Sequence, residues 1–267
     1  MKRKKSKPKP IIQPVVKSLK QARKVTSDFH KITRRLQVAV SEGREDAAAA
    51  AETELSALGG RASYQAASEL TTARHRTSKW IFSLLTQLKL RPSKGQPPLR
   101  VLEVGAVNAQ LLSVPWLSVR AIDIRPCLPS IEQADFLTLK PAAEFDIVVC
   151  AMVLNCVPTA TDRGSMLLKM RAHLKPNGHA FIVIPLRCLN DSPFMTTAYF
   201  EQALMAAGFK VKHTRTSPKL AFYCIETATI SSVAASKYAD PPKVVARGRK
   251  ANDFAVSFDS DILKALV

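Results

Sequence analysis

The stretch from Leu99 to Asp123 constrains the fold most, because it reads as one strand–helix–strand unit. The apolar run L-R-V-L-E-V ends in Glu-x-Gly, a turn and a helix start follow, and a second short strand ends in an acid. Glu103 and Asp123 are twenty residues apart, the separation expected when two parallel strands end beside one nucleoside ligand. A carboxylate at the end of the second strand can accept hydrogen bonds from both hydroxyls of a ribose.

The turn after the first strand indicates which nucleoside ligand is bound. It reads E-V-G-A-V-N-A, with Gly105 as its one glycine, whereas a dinucleotide fingerprint needs three to seat a pyrophosphate on backbone amides. S-adenosylmethionine has no phosphate, and it needs one close backbone approach and a polar neighbour for its amino-acid end. Glu103 beside Gly105 therefore favours S-adenosylmethionine over NAD. The alternative is a buried strand that ends in an ordinary turn.

Short apolar runs alternate with helical segments from Leu99 onward, a pattern typical of an open parallel sheet. Two further strands joined by Ser-Pro follow and predict a closing antiparallel hairpin. We therefore expect an α/β fold of the class I methyltransferase (Rossmann-like) type, with a seven-stranded, mostly parallel sheet. Predicted strands are Arg100–Val104, Val119–Ile122, Phe145–Ala151, His179–Pro185, Lys210–Thr216 and Leu220–Thr227, and predicted helices are Arg163–Leu174 and Thr196–Ala207.

Charge divides the chain into three parts. The 267 residues carry a net charge of +19, and residues 1–40 hold thirteen Lys or Arg against one acid, which favours a polyanionic partner. We predict a basic, partly disordered and partly helical N-terminal extension over 1–60, a methyltransferase domain over 61–230 and a flexible basic tail over 231–267. Within the extension, 17–40 combines helical spacing with a basic face; a phosphate-binding helix and a merely soluble helix both fit.

The five cysteines predict neither a disulfide framework nor a zinc site. Their number is odd, C-x-x-C is absent from the sequence, and Cys150, Cys156, Cys188 and Cys224 lie in or beside apolar runs, as small core hydrophobes do. The sequence has no run of eighteen apolar residues, and its lysine-rich start lacks an apolar signal region. We expect a protein of a reducing intracellular compartment, with no bound metal and no membrane partner.

Three further residues are candidates for the site. Asp135 and Phe136 follow the second strand, where a carboxylate can accept from the exocyclic amine of the donor's adenine and a ring can pack near the purine. A loop aspartate beside a core phenylalanine is the equal alternative. Asn155, in the L-N-C-V-P loop after the strand Phe145–Ala151, can hold the edge of a target base through its amide, although it can equally close a turn.

Several longer strings together carry a specific resemblance. They are L-E-V-G-A, A-I-D-I-R-P with I-E-Q-A-D-F, M-V-L-N-C-V-P with D-R-G-S-M-L, and V-I-P-L-R-C-L-N-D-S, preceded by Y-Q-A-A-S and R-T-S-K-W. Over roughly residues 60–226 the chain resembles the fungal 25S ribosomal RNA adenine-N(1) methyltransferase family. The resemblance implies donor contacts at Gly105 and Asp123, and a ribosomal RNA or preribosomal particle as the partner.

The function expected from this resemblance is methylation of N1 of an adenine in large-subunit RNA, with S-adenosylmethionine as the donor. Together with the lysine tract at 2–9, it implies residence in the nucleus and nucleolus. Two alternatives stay open at this point. One is a class I methyltransferase that acts on a protein or small molecule, and the other is a degenerate methyltransferase fold that serves as an RNA-binding assembly factor.

Overall fold

The computed structural model describes residues 18–60, 63–64, 66–67, 77–229, 236–238, 242–249 and 251–259. The chain divides into two compact units, Met1–His75 and Arg76–Val267. The lysine tract at 2–9 and most of residues 61–76 lie outside the described residues.

A seven-stranded sheet forms the second unit, as predicted. Its strands are β1 (Leu99–Val104), β2 (Leu117–Asp123), β3 (Glu132–Gln133), β4 (Phe145–Ala151), β5 (Leu174–Pro185), β6 (Phe209–Thr216) and β7 (Leu220–Thr227). The order across the sheet is β3-β2-β1-β4-β5-β7-β6. Strands β1 to β5 pair in parallel, and β7 pairs antiparallel with both β5 and β6. The predicted fold class is confirmed.

The helical spacing at 17–40 and the helices predicted at Arg163–Leu174 and Thr196–Ala207 each correspond to a helix of the structure. The described helices are α1 (Leu19–Ser41) and α2 (Glu45–Ala57) in the first unit, and α3 (Thr77–Gln87), α4 (Ala160–His173), α5 (Arg187–Asn190) and α6 (Thr197–Ala206) in the second, with 3-10 turns at Leu154–Cys156 and Ser236–Tyr238. Helix α4 begins three residues before the predicted start, because the Thr159 hydroxyl caps it by accepting from Asp162 N at 3.0 Å. A turn through Gly43, with φ of +66°, separates α1 from α2.

Apolar side chains cover both faces of the sheet. Helix α3 covers one face, where Trp80 meets the rings of Phe181 and Phe222 edge-on at centroid distances of 5.4 and 5.2 Å. Helices α4 and α6 cover the other face together with buried Phe254, Val256 and Phe258. Because both faces are covered, the central strands β4 and β7 are nearly continuous apolar runs, whereas β6 at the edge of the sheet is largely exposed.

The C-terminal segment, residues 251–259, departs from the flexible tail predicted over 231–267. Phe254, Ala255, Val256 and Phe258 are each no more than 3% exposed. Ser257 N donates to Ala160 O at 3.0 Å, and Phe258 N donates to Tyr238 O at 2.7 Å. The segment is short but apolar, so burying it against α4 gains more free energy than leaving it in water.

None of the described helices is both long and apolar enough to cross a lipid bilayer.

Candidate functional site

The strand register brings the candidate residues to one edge of the sheet. Val104, the last residue of β1, pairs with Ile122 of β2 and with Cys150 of β4. Gly105 therefore follows at the level of Asp123, where the carboxyl ends of β1 and β2 meet. Adjacent strands lie about 4.8 Å apart, so the ends of β2, β1 and β4 lie side by side at this edge, which we call the crevice. In open α/β sheets ligands bind at such an edge.

Gly105 is required at the turn after β1 for two separate reasons. Its φ is +71°, in the left-handed region that disfavours residues with a Cβ. A Cβ added here would lie 2.2 Å from Cγ2 of Val153, in the segment after β4. Gly105 N donates to Ile122 O at 2.8 Å, which fixes the turn against β2. The glycine thus lets three chain segments meet at the floor of the crevice.

Glu103 is a largely buried carboxyl without a described partner. Its Oε2 atom is buried and accepts no hydrogen bond within the described part of the chain. Burial raises the pKa of Glu103 from 4.5 to about 7, because removal of water disfavours the ionised form. A carboxyl in this state is suited to accept hydrogen bonds from a cationic amine that enters the crevice.

Asp123 ends β2 and is half-buried. Its Oδ1 accepts a 2.7 Å hydrogen bond from Arg125 N, which holds the carboxylate at the strand end. Ala134 N donates to Asp123 O at 3.0 Å, so the turn after β3 lies beside it. Oδ2 has no hydrogen-bond partner in the described ranges and is left to accept from a ligand hydroxyl.

The structure separates Asp135 from Phe136. Asp135 is exposed, and its Oδ1 accepts from Leu137 N at 2.9 Å, closing a turn next to Asp123. Phe136 is 2% exposed and packs against His173 with ring centroids 5.4 Å apart. Because the chain reverses at Asp135, the next side chain points into the core beneath the sheet. The prediction that Phe136 packs near the donor's purine is therefore corrected: its ring belongs to the core.

Asn155 lies in the 3-10 turn that follows β4, and Val153 brings this turn against Gly105. Its Nδ2 donates to Cys156 Sγ at 3.3 Å. Its Oδ1 is buried and has no partner among the residues described. Just before the turn, Met152 takes a φ of +63°, unusual for a residue with a side chain. The chain thus bends sharply at the end of β4 and leaves one amide oxygen ready to accept a hydrogen bond.

Sequence reasoning missed two contributors to the crevice. The sequence does not indicate the contact of Val153 with Gly105, since a valine in an apolar run gives no sign that it meets a turn about fifty residues away. Ser78 of α3 donates to Gln110 Oε1 at 2.7 Å, which ties the loop after β1 to the helix. The R-T-S-K-W string contains Ser78, but Thr and Ser at the start of a helix also serve as caps, so the string alone does not indicate this contact.

Within the described ranges, no group of three or more His, Cys, Asp or Glu side chains is arranged to hold a metal ion.

The strand order, the closing hairpin and the acidic residues beside a glycine turn define a class I methyltransferase fold. The chain belongs to the 25S rRNA (adenine(2142)-N(1))-methyltransferase family, Bmt2, whose family model matches residues 49–256. It is 31% identical over 183 residues to the 25S rRNA (adenine(2142)-N(1))-methyltransferase of Saccharomyces cerevisiae, covering 64% of this chain and 52% of that protein. It is 29% identical over 158 residues to the 25S rRNA adenine-N(1) methyltransferase of Schizosaccharomyces pombe, covering 54% and 56%. The chain spans about half the length of the curated relatives it matches.

Two solved structures are similar at low identity. A Burkholderia thailandensis 1,6-didemethyltoxoflavin-N1-methyltransferase, with bound 1,6-didemethyltoxoflavin and S-adenosylhomocysteine, has a TM-score of 0.49 and 18% identity, covering 82% of this chain and 94% of that one. A variant of the 16S rRNA (adenine(1408)-N(1))-methyltransferase from Catenulisporales acidiphilia has a TM-score of 0.39 and 16% identity, covering 51% and 87%. At this level of similarity neither structure informs on the activity of this chain.

S-adenosylmethionine is the methyl donor of this class of enzyme, and the crevice fits it. The donor carries an ammonium group, a ribose diol and a positively charged sulfur. Glu103 offers a buried carboxyl without a described partner, Asp123 offers an oxygen without a described partner at the end of β2, and Gly105 forms the tight turn that follows β1.

Proposed function

We propose that this chain is an S-adenosylmethionine-dependent methyltransferase that methylates N1 of an adenine in the large-subunit 25S ribosomal RNA during ribosome biogenesis. One observation carries the proposal. The family match over residues 49–256 contains the whole crevice, with its acids and its glycine turn at neighbouring strand ends. S-adenosylmethionine supplies a methyl group on a positively charged sulfur when it is bound.

Each donor contact has a physical basis in this chain. Asp123 accepts from the ribose hydroxyls through the oxygen that Arg125 N leaves free. Glu103 accepts from the ammonium group, and the two opposite charges stabilise each other at a site where water is largely excluded. Asp135 accepts from the exocyclic amine of the donor's adenine, because it lies in the turn that docks beside Asp123.

Adenine N1 carries an in-plane lone pair, so no proton must be removed before it attacks the methyl carbon. The reaction therefore needs no proton acceptor from the protein. The protein has to position the target adenine against the methyl group and exclude water. Asn155 is the candidate catalytic residue, since its unpartnered Oδ1 can accept from the amino group adjacent to N1 of the target adenine. Base pairing buries N1, so the target is single-stranded or flipped out of a helix.

The exposed side of α1 supports an RNA substrate. One face of the helix is buried through Ala22, Val25, Phe29, Ile32 and Ala39. Helical spacing of 100° per residue places six exposed basic residues on the opposite face, which we call the basic face. Its members are Lys20, Arg23, Lys24, Lys31, Arg34 and Arg35.

The basic face has the dimensions and charge of a phosphate-binding surface. It extends about 22 Å at 1.5 Å per residue, enough to follow several consecutive phosphates. Arg35 forms an ion pair with Glu54 of α2. Lys20, Lys24 and Lys31 form no ion pair with an acid in the described part of the chain. We infer that these three lysines hold RNA phosphates and contribute affinity without base specificity.

Calorimetric titration with S-adenosylmethionine tests the donor site. We expect the wild type to bind the donor and Asp123→Ala to lose at least about tenfold in affinity, since hydrogen bonds to a charged group contribute about 1.5–3 kcal/mol. Glu201→Gln on α6 is the matched control, because it removes a carboxylate away from the crevice and should leave the affinity unchanged. A folded wild type that binds no donor, even with RNA present, would support the assembly-factor alternative instead.

Methyl transfer to RNA tests the reaction. We expect radiolabelled methyl groups to enter unmodified 25S RNA, and reverse transcription to stop at one adenine, because a methyl on N1 blocks base pairing. The same RNA already methylated at N1 of that adenine is the control and should accept no label. A donor-binding protein that labels only proteins or small molecules in an extract would contradict an RNA substrate.

Charge reversal on α1 tests the basic face. Lys20→Glu, Lys24→Glu and Lys31→Glu are combined in one variant, and Lys89→Glu, Lys94→Glu and Lys219→Glu, also at exposed lysines, form the control. We expect the first variant alone to raise KM for RNA and to reduce the slope of log affinity against log salt by about 2. Donor affinity and kcat should not change. Equal RNA affinity for the two variants would refute the docking role of α1.

We also propose that the protein resides in the nucleus and nucleolus. The lysine tract at 2–9 and the ribosomal RNA substrate support this placement. A fluorescent fusion should co-localise with a nucleolar marker, and replacement of the tract's lysines by glutamines should disperse it. A fusion that remains outside the nucleus with the tract intact would refute this placement.

A further inference from the structure

The D-R-G-S string has a structural role that the crevice alone does not explain. Arg163 lies in the first turn of α4 and is 8% exposed. Its guanidinium donates to three backbone carbonyls: Nε to Val157 O at 2.9 Å, Nη2 to Pro158 O at 3.1 Å and Nη1 to Ala255 O at 2.9 Å. A single buried side chain therefore joins the segment before α4 to the C-terminal segment.

The first two carbonyls belong to the residues that follow the Asn155 turn. On the other side of Asn155, Leu154 is fully buried in the core. Cys156 N donates to Val153 O at 2.7 Å and closes the turn itself. Asn155 is thus held from one side by an apolar anchor and from the other by the guanidinium, which leaves its amide little freedom to move.

The third carbonyl makes this arrangement depend on the C-terminal segment. The Arg163 guanidinium lies 5.0 Å from the ring centre of Phe254, and Phe254 O accepts from Ser192 Oγ at 2.7 Å. Gly164 lets the segment approach, because a Cβ on it would lie 1.9 Å from Ser257 O. Arginine and glycine are therefore both needed, one to bind the segment and one to leave room for it.

We propose that Arg163 is a positioning residue for the methyl acceptor, which fixes the Asn155 turn and is itself held in place by the C-terminal segment. The inference rests on the proposed function, since it assigns Asn155 to the target base. Lysine cannot replace the guanidinium, because an ammonium lacks the planar set of donors that reaches three carbonyls at once. A displacement of about 1 Å in such a site can reduce the rate on the order of 10²-fold.

Two substitutions test the proposal from opposite sides. Arg163→Lys keeps the positive charge but removes the planar set of donors. Gly164→Ala leaves Arg163 unchanged but pushes Ser257 away from α4. Ser165→Ala on the same helix is the control, since the Ser165 hydroxyl forms no hydrogen bond within the described part of the chain. We expect the first two to lower kcat for RNA methylation by at least about tenfold, with donor Kd within about twofold of the wild type, while the control keeps wild-type values. Variants with wild-type kcat would overturn the proposal.

Hydrogen exchange measured by mass spectrometry provides a second readout that does not depend on activity. In Gly164→Ala, amides of residues 153–159 should exchange at least about tenfold faster than in the wild type, while those of β4 and β1 should not change. Faster exchange across the whole sheet would mean general destabilisation and would overturn the positioning role. If the wild type methylates no RNA, this measurement still decides whether Arg163 and the C-terminal segment hold the turn, so the two proposals fail separately.

Discussion

Replacement of Glu103 by glutamine should change how the stability of the protein depends on pH. Burial raises the pKa of Glu103 from 4.5 to about 7 in the folded chain, whereas the unfolded chain keeps the lower value. Each tenfold change in proton affinity is worth about 1.4 kcal/mol. The difference therefore corresponds to about 3 kcal/mol, which is a large part of the free energy of unfolding of an ordinary domain.

The sign of the effect follows from proton binding. Between pH 4.5 and about 7 the folded chain binds more protons at Glu103 than the unfolded chain does, so stability falls as the pH rises. Below this range the carboxyl is protonated in both states and costs nothing. Above it the carboxylate is ionised in both states, and the full cost of about 3 kcal/mol is present. Glutamine does not titrate, so Glu103→Gln should lose this pH dependence.

Urea unfolding at pH 5 and pH 8, followed by tryptophan fluorescence, measures the difference. Both tryptophans, Trp80 and Trp116, lie in the unit that contains the sheet, so the signal reports on that unit. The wild type should lose about 2.5 kcal/mol more than Glu103→Gln between the two pH values, because part of the cost is already present at pH 5. Glu201→Gln is the matched control and should follow the wild type. If wild type and Glu103→Gln respond to pH equally, the buried carboxyl does not carry the cost assigned to it.

Two further substitutions test how the crevice is built. Gly105→Ala should abolish detectable donor binding and lower the free energy of unfolding by about 1–3 kcal/mol, because φ is +71° and the Cβ meets Val153. Adding Val153→Ala should recover part of the lost stability. Calorimetry measures donor binding and urea unfolding measures stability; no recovery of stability in the double variant would mean that the contact with Val153 is unimportant. Phe136→Leu should cost about 1–2 kcal/mol by leaving a small cavity in the core, with donor affinity unchanged. A fall in affinity at constant stability would place the ring against the donor after all.

Periodicity and turn chemistry predict most of the sheet, but they fail where tertiary contacts decide. Strand β5 was expected from His179 and begins at Leu174, because Leu174 pairs with Phe145 before a register shift in the ladder. The Asn-Gly pair at 177–178 is typical of the end of a helix, and Asn177 does take a φ of +60°. The chain nevertheless continues here as a strand. Neither the pairing nor the shift is encoded locally. Both depend on where β4 happens to lie.

The C-terminal segment shows the same limitation for domain organisation. Proline and lysine around residues 241–250 lower the local apolar content, so composition predicts a tail. The signal for packing is instead the short run F-A-V-S-F at 254–258, which is too short to predict a strand or helix. Its partner is Gly164, about ninety residues earlier in the chain. A contact between a short apolar run and a helical glycine is recognised only when both are seen together.

For the candidate site, the sequence locates the strand ends but not the direction of each side chain. The spacing of Glu103, Gly105 and Asp123 reflects the strand–helix–strand unit, and the register confirms that they meet at one edge. Phe136 fails the same reasoning, because one residue decides whether a side chain faces the crevice or the core. Asp135 closes a turn through its own carboxylate, and that hydrogen bond sends the next ring inward.

The buried polar atoms without partners explain why this edge of the sheet is ready to bind. In the described part of the second unit such atoms occur on Glu103, Asn155 and His173. A lone buried acceptor costs about 1–3 kcal/mol, and this cost is recovered when a ligand supplies the missing donor. Glu103 and Asn155 both lie at the carboxyl ends of β1 and β4, and each presents an oxygen that a ligand amine can satisfy. On the proposed function, the donor's cationic amine and the amino group of the target adenine would complete hydrogen bonds that the protein alone leaves unmade.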